Sequence, residues 1–204
     1  MEAMTLNRGA VTPELFDLLQ ELMREESLHA FALGAAPRSH FGLGIASRWT
    51  STSSNSPFDA RALAEVLKHS YRMTEAETSE NSVSGVIAGI KIDLIAHRYP
   101  LLAGTAETEG IRMLSLEDVA AMKLNAIANR GSKKDFWDFA ELLEHFSRDE
   151  MLEFYSAKYP DDSLWNVGRS LCYFDDAEGQ PDPRDLRGRE WTEVKHTIGR
   201  HNRL

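Results

Sequence analysis

Cysteine is almost missing from this chain: Cys172 is the only one in 204 residues. That excludes an intrachain disulfide and a thiolate zinc cluster, and it fits a reducing compartment. The role expected of the lone thiol is that of a small buried hydrophobe. Long apolar runs are missing too. Nothing approaches bilayer-spanning length, and the opening MEAMTLNRGAVTPELF has no apolar stretch behind a basic one, so neither a membrane span nor a leader is expected and the reading is cytoplasmic. Positive charge is in deficit, with 23 Lys and Arg against 32 Asp and Glu and a net charge of −9. This argues against broad, salt-driven nucleic-acid binding while leaving room for a local basic cluster that docks one RNA or one nucleotide. The seven histidines form no HExxH or other ligand spacing, which removes the usual signature of a catalytic zinc site. No internal repeat is present.

What remains is ordinary globular composition, 42% apolar and 27% charged, enough for one domain or a small domain with a helical extension. TPELFDLLQELMREESL (12–28) places Thr12 as N-cap, Pro13 at the first helical position and Leu15, Leu18, Leu19 and Leu22 at helical spacing. FDARALAEVLKHS (58–70) predicts a second helix. Between 71 and 98 the period changes: Ile90, Ile92 and Leu94 alternate with Lys91 and Asp93, which predicts antiparallel strands. From Ser115 the chain reads as helices in close succession. Ser115 with Asp118, Ser132 with Asp135 and Ser147 with Glu150 open three of them, and Gly131 sits where a left-handed residue would end the first. A helix over about 162–174, a Gly/Pro/Asp loop (179–188) and a short helix at WTEVKHTIGR complete an α+β chain.

Two places carry candidate chemistry. Asp93, alternating with Ile92 and Leu94, faces either solvent or a cleft where a metal or nucleophile needs a carboxylate. In KLNAIANRGSKKDFWDF, Lys123 and Arg130 share a helix face through the i, i+4, i+7 spacing with Ile127, while Asp135 and Asp138 share a face of the next helix. Two cations opposite two carboxylates across a tight turn suit a triphosphate and the group that attacks it. The plainer alternative makes Asp135 a capping residue and Lys133 and Lys134 a solvated face. Phe136 and Trp137 read as packing, Asp161 and Asp162 as helix-start residues, and Asp175 and Asp176 as a helix end or loop.

GIKIDLI, SLEDVAAMKLNAIANRGSKKDFWDFAELLEHFS, EMLEFYSAKYPDDS and CYFDDAE before a Pro-rich loop together resemble the AbiEii/AbiGii-type nucleotidyltransferase toxins of bacterial toxin–antitoxin and abortive-infection systems. The resemblance runs from Phe31 to Trp191 and is most specific over Lys123, Lys134, Asp135 and Asp138. It implies a polymerase-β-like nucleotidyltransferase fold: a small mixed sheet in a core spanning 1–112, then a helical half, 113–204, that binds nucleotide and acceptor. It also implies Mg²⁺ and an NTP as cofactor and substrate, an RNA acceptor such as tRNA, and a cognate antitoxin as partner. On that pattern Asp93 is the third metal-binding carboxylate, and Lys123 and Asp135 are catalytic with Asp93. Lys134, Arg130, Asp138 and Gly34 would contact the nucleotide.

One window departs from the family. Over 33–54 the pattern calls for a glycine turn and a strand ending in D-x-D, something like LGGGTALALRLGHRVSVDLDLF, whereas LGAAPRSHFGLGIASRWTSTSS stands there. Translating the family's own codons one base late accounts for the change. GAC followed by C becomes ACC, which puts Thr50 and Thr52 where both aspartates belong. CAT becomes ATC at Ile45, CGC becomes GCG at Ala46, and GTG becomes TGG at Trp49. The glycine codons become Ala35, Ala36 and Pro37. The expectation is a shifted frame over 35–54; the rival is a Ser/Thr-rich loop that evolved as such. Threonine hydroxyls are neutral, weak ligands for a hard dication, so Mg²⁺–nucleotide binding and transfer should be impaired. A polar SRWTSTSSNS should also cost the core a central strand. Two other functions stay open, a catalytically dead homologue that binds a partner and a protein-modifying phosphotransferase on the same fold.

Overall fold

Thr12 accepts a hydrogen bond from the Leu15 N–H, and Pro13 begins the first helix, α1 (Pro13–Arg24), which buries Leu15, Leu18, Leu19 and Leu22 as their spacing predicts. A 3₁₀ turn (Glu26–Leu28) follows and leads into β1 (Phe31–Leu33). The computed structural model describes residues 12–34, 48–54 as backbone, 58–183, 185 and 187–202. The expected glycine turn beyond Gly34 and the window 35–47 lie outside the described residues.

Residues 48–54 form β2 (Arg48–Ser54), followed by α2 (Ala60–Tyr71), whose N-cap Asp59 accepts from Arg61 and Ala62. Next come β3 (Thr74–Ser79), β4 (Ser82–Ile87) and β5 (Ile90–His97), the antiparallel meander that the alternation predicts. Among the described residues a hairpin of β6 (Ala106–Thr108) and β7 (Ile111–Met113) completes a seven-stranded mixed sheet of order β3-β4-β5-β2-β1-β7-β6. The β4–β5 and β6–β7 turns place Ala88–Gly89 and Glu109–Gly110 at positive φ, the two-residue geometry whose twist matches the paired strands.

β2 sits in the middle of this sheet. It runs parallel to β5 from Arg48↔Lys91 to Ser54↔His97 and antiparallel to β1 through Ser51, Thr52 and Ser53. The expectation that the polar window removes a central strand is therefore corrected for residues 48–54. Sheet pairing is a backbone interaction, and threonine is β-branched, so a polar strand with partners on both sides still pairs.

Ile90, Ile92 and Leu94 turn inward and pack with Val83, α1 and α2 in one core cluster. A second cluster packs Val119, Leu124, Phe136, Trp137 and Tyr155 of the helical half. That half contains α3 (Leu116–Asn129), α4 (Lys133–Leu142), α5 (Arg148–Lys158), α6 (Leu164–Ser170), α7 (Asp175–Glu178) and α8 (Trp191–His201). Ser147 and Glu150 form the full capping box at the start of α5. Gly131 adopts φ 52° after α3 and donates to the Ala126 carbonyl, closing that helix as expected. Arg112 on β7 ties strand to helix by donating to the carbonyls of Phe31, Met23 and Leu28.

Several local readings change. Cys172 is exposed rather than buried, because it follows α6 on its solvent side. α6 starts at Leu164 with Ser163 as N-cap, and Asp162 instead accepts from the Tyr155 hydroxyl at 3.1 Å. Asp175 and Asp176 form the first turn of α7 rather than a helix end. Phe136 and Trp137 are fully buried, as packing residues should be.

Candidate active site

α3 ends at Asn129, and only three residues separate it from α4, so the last turn of one helix faces the first turns of the next. That tight connection brings together the four helical candidates. Lys123 Nζ contacts Asp138 Oδ2 and lies 3.7 Å from Asp135 Oδ1. Arg130 grips Asp135 with two parallel bonds, Nε to Oδ2 at 2.7 Å and Nη2 to Oδ1 at 2.8 Å. The Ser132 hydroxyl adds a third donor to the Asp135 carboxylate. Ser132 makes no side-chain cap bond, so Asp135 is an ion-pair residue here and not a partner in a capping box.

The two carboxylates differ in environment. Asp135 is fully buried, which would raise its pKa, but the Arg130 hydrogen bonds and Lys123 outweigh burial and hold it below the usual carboxylate range. Asp138 is buried as well, and burial pushes its pKa up against the opposing pull of Lys123. Neither Asp138 oxygen has a well-directed hydrogen bond among the described residues. Burial works against the Lys123 ammonium, yet Asp138 and Asp135 prevail and raise its pKa. Arg130 is the open edge: its side chain is 55% exposed, and its bond pair to Asp135 uses Nε and Nη2 only. Lys134 is exposed beside the cluster and stabilises the charged form of Asp138.

Lys133 departs from the solvated-face reading. It is buried, its Nζ bonds Asp182 at 2.9 Å, and it lies 5.3 Å from the Trp191 ring centroid. The reason is that α8 and the loop before it fold over this face of α4, so a lysine on the first turn of α4 ends up between Trp191 and the loop carbonyls. Sequence spacing carries no sign of that closure.

Asp93 belongs to the sheet. It is half-buried on the face opposite Ile92 and Leu94, level with Thr50 of β2 and Ser84 of β4 in the register. Gly34 is half-buried immediately after β1. Mg²⁺ takes a carboxylate-rich oxygen shell. Among the described residues no group of three His, Cys, Asp or Glu side chains is placed to hold a metal ion, and the strand beside Asp93 carries threonine at 50 and 52. One carboxylate does not make up that shell, and Asp93 stands as a half-buried strand carboxylate.

A second ionic centre escaped the sequence reading. Asp118 and Lys158 are both fully buried and bonded at 2.6 Å. Asp118 also accepts from Ser115 Oγ and from the N–H groups of Leu102 and Ala103, and Lys158 donates to the Pro100 carbonyl. His97, at the end of β5, packs against Tyr99 and Tyr159 beside this pair. Burial, with Lys158 adding to it, lowers the His97 pKa to about 4. The available signal was a cation on an inward face, since Met151, Tyr155 and Lys158 follow i, i+4, i+7 on α5 and are all buried.

Comparison with known proteins agrees with this architecture. Two Helicobacter pylori crystal structures, one of a candidate nucleotidyltransferase and one of JHP933, each superpose with a TM-score of 0.55 at 13% identity. The first match covers 93% of this chain and 90% of that one, the second 94% and 91%. At that identity the likeness is one of fold. An uncharacterized protein of Aquifex aeolicus (strain VF5), aq_aa25, is 33% identical over 125 residues, or 59% of this chain and 61% of that relative. The chain thus spans less than two thirds of the length of the curated relative it matches. The family model "Nucleotidyl transferase AbiEii toxin, Type IV TA system" matches residues 88–195, which include Asp93 and the whole Lys123–Asp138 cluster but not the window at 35–54. With more than half of its length inside that match, and a fold to suit, the chain belongs to the AbiEii nucleotidyltransferase toxin family.

Proposed function

We propose that this protein is built to transfer a nucleotide from an NTP to an acceptor, with RNA such as tRNA as the acceptor and an antitoxin as its partner. The observation that carries the reading is the Lys123–Arg130–Asp135–Asp138 cluster, which lies within the family match and sets three cations, counting Lys134, around two carboxylates. Arg130 and Lys134 at the exposed edge suit the phosphates. Asp135 holds Arg130 in a fixed plane. Asp138, with its raised pKa and its ion pair to Lys123, suits the proton of an attacking hydroxyl once a ligand draws Lys123 away.

Mg²⁺ would supply charge neutralisation at the triphosphate. Asp93 by itself is a poor ligand set, and transfer by the chain with Thr50 and Thr52 is accordingly slow or absent. That same deficit favours a second reading, a disarmed homologue that still engages a partner.

The test uses α-labelled NTPs with Mg²⁺ and either total tRNA or protein acceptors. A chain in which residues 35–54 are replaced by the family's glycine turn and D-x-D strand should label RNA, and Lys123→Ala in that background should cost about a hundredfold or more. The unaltered chain should label RNA weakly or not at all. Label on protein instead of RNA would favour the phosphotransferase alternative, and no transfer by the restored chain would leave the partner-binding reading. Thr50→Asp with Thr52→Asp alone should not restore full activity, because the rest of the window stays foreign. Sequencing codons 33–56 shows directly whether the frame is shifted.

A further inference from the structure

A small cleft adjoins the ion-pair cluster on its Arg130 side. It has a volume of about 110 Å³, and its walls include Ile127, Ala128 and Arg130 from the end of α3 with Ser170, Tyr173 and Asp176 from the α6–α7 segment. Arg130 belongs to both places: one edge of its guanidinium is committed to Asp135, and the side chain lines the cleft.

The cleft walls select against phosphate. α3 presents its C-terminal, carbonyl-bearing end here, and Asp176 lies among the lining residues with Asp175 beside it in sequence. The negative charges of Asp176 and Asp175 raise the Tyr173 pKa. A site with acceptors and one aromatic face favours a flat ligand that donates N–H or O–H groups. Tyr173 offers that face, because it is 52% exposed although it is a large aromatic residue, and Arg130 brings a planar, cationic group to the same cleft. Ile127 and Ala128 complete the lining on the α3 side.

We propose that this cleft is a nucleoside subsite, in which Tyr173 stacks on the base, Asp176 and Ser170 meet its hydrogen-bonding edge or the ribose hydroxyls, and Arg130 marks the boundary with the phosphates. The inference rests on the nucleotidyltransferase reading and adds residues that none of the family-pattern positions include. The nucleoside has two sources of the same chemistry: the incoming NTP, or the terminal residue of the acceptor strand.

Calorimetric titration separates them. ATP, GTP, CTP and UTP without metal, and a five-nucleotide single-stranded RNA, are titrated into the full chain and into Tyr173→Ala, Tyr173→Phe and Lys123→Ala. Tyr173 is exposed, so neither substitution there threatens folding. Tyr173→Ala should weaken one class of probe by about tenfold, and Tyr173→Phe, which keeps the ring, should bind close to the parent. Loss confined to the NTPs assigns the cleft to the donor base, and loss confined to the oligonucleotide assigns it to the acceptor end. Unchanged binding of both probes by Tyr173→Ala, with NTP binding weakened by Lys123→Ala, overturns the subsite and leaves the nucleotidyltransferase reading standing. Equal losses in the Ala and Phe variants overturn the stacking role. No binding of either probe by the parent chain overturns the subsite, while the nucleotidyltransferase reading stands or falls on transfer by the chain with a restored 35–54 window.

Discussion

Helix α3 carries an ionic centre near each end, and the two are built differently. At its start Asp118 meets Lys158, both fully buried, with the remaining acceptor capacity filled by Ser115, Leu102 and Ala103. Toward its end Lys123 and Arg130 meet Asp135 and Asp138, with Arg130 exposed and both Asp138 oxygens lacking directed donors. A saturated buried pair has nothing left to offer a ligand and resists any change of charge. A pair left incomplete at an open edge holds charges that a ligand can rearrange. The first centre fastens the strand-to-helix connection, and the second has the form of a working site.

The largest expected difference is in stability. Lys158→Met strands Asp118 as a buried, uncompensated charge and should cost about 3–5 kcal/mol in urea unfolding. A loss below about 1 kcal/mol would erase the distinction between the two centres. Asp138→Asn should cost less, about 1–2 kcal/mol, because Asp135 still lies 3.7 Å from Lys123 and keeps it compensated. In the chain with a restored 35–54 window the same substitution should abolish most transfer, so stability and activity respond in opposite proportion at the two ends of α3.

Acid titration sharpens the comparison further. His97 beside Lys158 is held neutral, with its pKa lowered from 6.5 to about 4. A depressed folded pKa means that the unfolded chain takes up the proton first, so this contribution is full above about pH 6.5 and is lost as pH falls toward 4. Asp118, also depressed, loses its contribution only below the usual carboxylate pKa. His97 is surrounded by Tyr99, Tyr159, Lys158 and Asp118. His97→Gln should therefore flatten the stability slope between pH 6.5 and 4 and leave the steeper loss below it. An unchanged slope would place the acid sensitivity elsewhere. The smallest effect belongs to an exposed pair: Lys68→Ala breaks the 2.9 Å contact with Glu65 on α2 and should shift the unfolding midpoint by no more than about 0.5 kcal/mol. A larger shift would mean that solvent-exposed pairs matter here as much as buried ones.

Much of the candidate site was legible because its geometry is local. Lys123, Ile127 and Arg130 on one helix and Asp135 and Asp138 on the next are set by the helical repeat, and Gly131 announces the turn that folds one helix onto the other. The fastening centre was not legible, because its members lie 40 residues apart and Asp118 looked like a capping partner of Ser115, which its backbone N–H also is. Lys133 escaped for a similar reason: Trp191 and Asp182, which enclose it, arrive from about 50 residues downstream.

The sequence by itself determined the elements and their inner faces. Helical and strand periods are properties of neighbouring residues, so Leu15 to Leu22, Ile90 to Leu94 and the opening of α5 could be assigned without a fold. Tertiary structure decided which charges are structural and which are available. It paired Lys158 with Asp118, left Arg130 at an open edge, put Cys172 in solvent and kept a polar strand at the centre of the sheet. The physical reason is that the free energy of a charge or a hydroxyl depends on its solvation and its partners, and both are set by chain segments far away in sequence.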